Sequence, residues 1–295
     1  MPRRSRATFF SLVGILFIWA ASSTCSDSPT LLCLLWPNDS SCSTQVLKVN
    51  LQIDAEREDT AGITNIVNEL NRRGIKTTIY VTADFANTNG LMVNDFYQQG
   101  FEIAVHGFHS AEQLATMTYD EQKDLLTRAK QAVEGCLTCG NFKPVTGFRP
   151  QYFSQNEDTY RVLDELALTY DSGFKARQLY LAGHEQDAAP YAAPGHNFTA
   201  VPITTVEYNG QLSYLCDMSA GTGANLTAAQ WSEMLTAAYQ QCLANGEPLV
   251  VLFHGWYTGD TTNYDYWQPF VNFLDEIRGQ ADFMTTQELI DFYAP

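Results

Sequence analysis

Apolar residues fall in short runs that alternate with amphipathic stretches along most of the chain. Val46 to Ile53, Thr77 to Thr82, Phe101 to His106, Val145 to Arg149, Leu168 to Asp171, Ala200 to Val206 and Leu249 to His254 each predict a short strand bounded by glycine or polar turns. Ile63 to Arg72 predicts a helix. Other helix starts are marked by a hydroxyl residue followed three positions later by an acid or amide, a pairing in which each side chain caps the other's backbone N–H. Thr118 with Glu121, Ser154 with Glu157, Thr227 with Gln230 and Thr285 with Glu288 fit it. Strand-then-helix units imply a parallel sheet covered by helices, and the count suits a barrel of about seven or eight strands.

The ends of the chain change this picture. Arg3, Arg4 and Arg6 precede an apolar run from Phe9 to Ala21 and then Ser22 and Ser23, the layout of an export signal. Residues 1–23 are therefore expected to be a signal peptide, or an N-terminal anchor, and the protein to be secreted or extracytoplasmic. Residues 24–45 read as a Ser/Cys-rich leader, and 46–295 as the folded domain. A chain of 295 residues with 45% hydrophobic and 17% charged positions buries a full core, and its net charge of −16 argues against a phosphate-backbone partner, so no nucleic acid is expected. Seven cysteines suit an oxidising compartment if six pair, the nearest-neighbour scheme being Cys33 with Cys42, Cys136 with Cys139 and Cys216 with Cys242. Asn38, Asn197 and Asn225 head glycosylation sequons.

Candidate chemistry lies at the strand ends. Asp54, His106, Arg149, Asp171 and His254 each close an expected strand, where α/β barrels collect catalytic groups. Around them run Val49-Asn50-Leu51-Gln52-Ile53-Asp54-Ala55-Glu56, Gly100 to Ser110 with His106 and His109, Gly147-Phe148-Arg149-Pro150-Gln151-Tyr152, Tyr170-Asp171-Ser172, and Leu249 to His254. In this order they resemble the five motifs of the NodB-homology polysaccharide deacetylases, carbohydrate esterase family 4. The resemblance spans about residues 46 to 293.

It implies an α/β fold, a distorted (β/α)7 barrel, and a metal-dependent hydrolase that removes acetyl groups from N- or O-acetylated polysaccharide. By the same resemblance Asp54 is the general base, Arg149 holds it, His254 is the general acid and Asp171 orients His254. His106, His109 and Glu56 are the implied ligands of a divalent metal, zinc, with Glu56 standing in because Ala55 occupies the usual ligand position. An alternative register makes Asp54 the ligand and puts Gln52 at the base position. Two further departures are the three-residue histidine spacing, with Ser110 in the expected slot, and Gln151 in place of a proline. Tyr152 and Trp256 are candidate sugar-binding aromatics, with Tyr257 and Trp267 near them in sequence. The rival expectation is a carbohydrate-binding relative that kept the barrel and lost catalytic power.

Overall fold

Side chains alternate along β1 (Leu47–Ala55) so that Val49, Leu51 and Ile53 share one face and Asn50, Gln52 and Asp54 the other, yet all six are buried. A strand of that kind needs an apolar layer on one side and an enclosed polar one on the other. The computed structural model, which describes residues 46–56, 60–137 and 144–294, provides both. After β1 come β2 (Thr78–Val81), β3 (Glu102–Val105), β4 (Gly147–Phe148), β5 (Tyr170–Lys175), β6 (Tyr191–Ala192), β7 (Thr199–Ile203), β8 (Thr205–Tyr208), β9 (Gln211–Tyr214), β10 (Leu249–His254) and β11 (Ala281–Phe283). Seven of them, in the order β10-β1-β2-β3-β4-β5-β7, form a curled parallel sheet; β6 pairs antiparallel with β7, and β11 lies beside the start of β1.

Helices α1 (Thr60–Arg73), α2 (Ala83–Gln98), α3 (Tyr119–Cys136), α4 (Glu157–Glu165), α5 (Ala228–Asn245), α6 (Gly255–Thr258), α7 (Trp267–Ile277) and α8 (Thr286–Tyr293) follow the strands. Each of the longer ones buries an apolar stripe, as α1 does with Ile63, Ile66, Val67 and Leu70. This is the distorted (β/α)7 barrel expected from the motifs.

The distortion lies at the seam between β7 and β10. Thr204 N donates to Val250 O (3.0 Å), and its hydroxyl accepts from Val250 N (2.8 Å). The chain then leaves through the β8–β9 hairpin and returns, so that Leu215 bonds back to Thr204 and Leu252 N donates to Leu215 O (2.9 Å). Cys216 thereby forms a parallel bridge with Leu252. The single strand expected over Ala200 to Val206 is thus two strands in different sheets, broken where Thr204 joins the seam.

Three of the four expected capping boxes form, at Thr118, Thr227 and Thr285. The fourth does not: α4 is capped by Asn156 with Thr159, while Ser154 instead accepts from Ala115 N. α2 carries no strong signal in sequence, because its Asn-Thr-Asn-Gly stretch is poor helix former and Asn89 is indeed non-helical. The Cys216–Cys242 pairing is also corrected, since both thiols are free and buried. Cys242 reaches Pro248 O before β10 begins, whereas Cys216 sits beside Leu252. Four residues of strand separate them by roughly 13 Å, beyond disulfide reach. Cys136 is likewise free and bonds Ala86 O (3.2 Å). Its expected partner Cys139, together with Cys25, Cys33, Cys42, the export signal and the leader, lies outside the described residues.

Backbones approach closely where α1 meets the turn after β10. A Cβ on Gly62 would stand 2.1 Å from Gly255 O, and one on Gly259 2.1 Å from Gly62 O. Gly62→Ala is therefore expected to cost about 3 kcal/mol, the upper end for overpacking because backbone rather than a flexible side chain must yield. Urea denaturation of the variant beside the wild type measures this.

Candidate functional site

Parallel pairing of β1 with β10 sets Asp54 opposite His254 at the C-terminal rim, with His254 Nε2 3.7 Å from Asp54 Oδ2. His106 follows β3 and brings its Nε2 to 3.3 Å from Asp54 Oδ2 and 3.9 Å from Glu56 Oε2. Arg149 follows β4, and its two terminal nitrogens donate to Asp54 Oδ1 and Gln52 Oε1 while the guanidinium lies 3.8 Å from the centre of the Tyr80 ring. Glu56 accepts the Trp256 indole N–H at 2.8 Å. These groups surround a cavity of about 150 Å³, whose mouth carries Tyr152, Phe153, Tyr214 and Met218.

The charge states follow from the partners. Burial opposes ionisation of Asp54, but Arg149, His106 and His254 outweigh it, and its carboxyl is held below the usual range. For His254, burial opposes the charged form and Asp217 overturns it, raising the imidazole from 6.5 to about 9. Asp217 accepts from His254 Nδ1 (2.6 Å), His254 N (2.8 Å) and the Thr258 hydroxyl (2.7 Å). A carboxylate of this kind fixes the proton on Nδ1 and turns Nε2 toward Asp54. His106 is oriented in the same way, since its Nδ1 faces the Arg149 carbonyl at 2.8 Å and a carbonyl only accepts.

Asp54, Glu56, His106, Arg149, His254, Tyr152 and Trp256 are thus brought together at one cavity. Tyr152 is 59% exposed in a left-handed turn (φ 55°), which places its ring at the mouth. Tyr257 and Trp267 do not line it. They pack respectively on Tyr264 and Phe270. Asp171 is fully buried in β5; one oxygen accepts from Gly173 N (2.7 Å), the other has no partner among the described residues, and burial lifts its carboxyl to about 8. The part expected of Asp171 is filled by Asp217. No local pattern marks Asp217, because it reaches His254 only through the seam that sets Cys216 beside Leu252.

His109 is also displaced. Its ring is 59% exposed and bonds Asp84 (2.6 Å) in a neighbouring open groove that Glu56 and Ser110 share.

Residues 46–171 match the family model for polysaccharide deacetylases. That stretch is about two fifths of the chain, and over it the sequence resembles the polysaccharide deacetylase family. No curated protein sequence is significantly similar to it. Solved structures share its fold at low identity. An allantoinase has a TM-score of 0.68 at 14% identity, with 85% of this chain and 91% of that one covered. The carbohydrate esterase family 4 domain of a multidomain xylanase from the hindgut metagenome of Trinervitermes trinervoides has a TM-score of 0.53 at 15%, covering 83% and 90%. A carbohydrate esterase family 4 pseudoenzyme from Bacillus anthracis has a TM-score of 0.54 at 12%, covering 84% and 66%.

The resemblance to these deacetylases implies a divalent metal, and the expected set of His106, His109 and Glu56 is not brought together to hold one. His109 is held by Asp84 outside the cavity. Among the described residues, one trio of ligand-type atoms lies within 4.8 Å of one another, Cys216, Asp217 and His254. There Asp217 already accepts four hydrogen bonds, the fourth from Met218 N, and burial pushes the Cys216 thiol up to about 12, so this trio is a hydrogen-bonded support for His254.

The raised His254 value has a sign that is measurable. Protonated His254 stabilises the fold fully below pH 6.5, and that contribution is lost as pH rises through about 9. In Asp217→Asn the NMR titration midpoint of His254 is expected to fall well below the wild-type value. The difference in urea stability between wild type and variant should shrink across the same pH window.

Proposed function

We propose that this protein hydrolyses acetyl groups from an acetylated polysaccharide, by acid–base chemistry of Asp54 and His254. The observation that carries the reading is a carboxylate kept ionised and an imidazole kept protonated, facing each other across 3.7 Å at the wall of one small cavity. Environments that push two titratable groups apart in this way assign the base and the acid. The cavity of about 150 Å³ is smaller than the roughly 300 Å³ at which sites for whole small ligands begin. It suits one substituent of a larger molecule, with Tyr152 at the mouth to stack on a sugar ring.

In this mechanism Asp54 takes a proton from water as the water oxygen bonds to the acetyl carbonyl carbon. The tetrahedral adduct then breaks its C–N bond while His254 Nε2–H protonates the nitrogen, leaving acetate and a free amine. The proton on Asp54 returns to His254 through solvent for the next cycle. An O-acetyl ester follows the same course with an alcohol as leaving group. Arg149 keeps Asp54 charged, Asp217 keeps His254 aimed, and backbone N–H groups near Tyr152 are candidates for the oxyanion. The fold shared with a domain of a xylanase keeps acetylated xylan among the substrates to be tried, beside chitin, peptidoglycan and exopolysaccharide. Export through the N-terminal segment belongs to the same proposal.

A second reading, carbohydrate binding without turnover, is favoured by the displacement of His109 and by the fold shared with a pseudoenzyme. Acetate release from chitin oligomers and acetylated xylan separates the two. Asp54→Asn and His254→Ala are each expected to lower turnover by about 100-fold or more, the size of a lost base or acid. Turnover should also fall above about pH 9 as His254 loses its proton. Glycan binding with no acetate release from the wild type would favour the second reading.

A further inference from the structure

The loop after β3 is tied down by two buried side chains. Glu112, 8% exposed, turns back to accept the backbone N–H groups of Phe108 (2.9 Å) and His109 (2.8 Å). Its carboxylate occupies the space that a Cβ on Gly107 would need, at 2.5 Å, and Gly107 is in the left-handed region (φ 85°). Gln151, 4% exposed, donates from its amide nitrogen to the carbonyls of His106 (3.1 Å) and His109 and accepts from Ala111 N.

Those five bonds draw the His109 carbonyl inward, and the ring is left outside, on Asp84. Gln151 stands where the resembled motif has a second proline, and a proline has no side-chain amide to make these bonds. The altered histidine spacing and the replaced proline are therefore one structural change.

We infer that a latch of Gln151 and Glu112 replaces the second imidazole ligand, so that this cavity works without a divalent metal. The activity arm of the test rests on the hydrolytic reading; the binding arm does not.

The test uses the purified full chain. Elemental analysis is expected to find no stoichiometric metal, and calorimetric titration with zinc chloride no tight site. Exhaustive chelation should leave both the melting temperature and acetate release unchanged. Gln151→Ala, or Glu112→Gln should the first fold poorly, frees the loop and is expected to raise zinc affinity by at least about 10-fold, the scale of a ligand-orienting contact. Adding His109→Ala to either variant should abolish that gain, an effect that a purely structural loss at Gln151 would not produce. One tightly bound zinc in the wild type, lost in His106→Ala or His109→Ala, overturns the inference, and so does a freed loop with no gain of zinc. Absence of acetate release under all conditions would count against the hydrolytic reading, with the zinc titration still deciding the latch.

Discussion

A guanidinium buried in the middle of the barrel is the constraint from which the rest of the site follows. Arg149 is 1% exposed, and an isolated charge there would cost several kcal/mol of desolvation. Asp54 and Gln52 take its terminal N–H groups, Tyr80 gives it a ring face, and Ser172 in turn donates to Gln52. This explains why Gln52 and Asp54 stand on the polar face of β1 although both are buried. It also explains why Asp54 stays ionised 2% exposed, since the cation that needs a partner is the one that holds it charged.

The ionised Asp54 faces an imidazole whose charge must be held as well, against the same burial. The seam provides the partner. A returning segment laid along β10 by backbone bonds places Asp217 against both the ring and the backbone of His254, and its position is set by the same ladder that closes the barrel. Gly62, Gly255 and Gly259 let α1 press on the turn just after His254, which makes the far side of that histidine rigid too. Rigidity of this kind is what preorganised acid–base chemistry requires, because a small misplacement costs rate steeply.

The loop beyond His106 shows the other use of buried polar groups. Once Gln151 and Glu112 are enclosed, their hydrogen-bonding capacity has to be met locally, and backbone groups of residues 106 to 111 are what lie within reach. The side chain of His109 then goes where the satisfied backbone sends it, whatever its chemistry suggests.

Sequence alone indicated the barrel, its main strands, and the placing of Asp54, His106, Arg149 and His254 at strand ends. It did so because parallel strands all end on one rim, where the residue closing an apolar run meets the others; Asp171, which stands near the start of β5 rather than at its end, does not. Glu56 and Tyr152 followed as near neighbours in the chain. What only the tertiary structure decided are the groups whose partners are far away or whose backbone is bent by them. Asp217 finds His254 through a seam of long-range hydrogen bonds, Asp171 is enclosed with one oxygen that meets no partner among the described residues, His109 is turned out by a glutamine 42 residues later, and Cys216 and Cys242 are kept apart by the length of β10. Strand ends are fixed by local alternation of apolar and polar residues, whereas loop direction is fixed by which buried donors and acceptors remain to be paired after the barrel has closed.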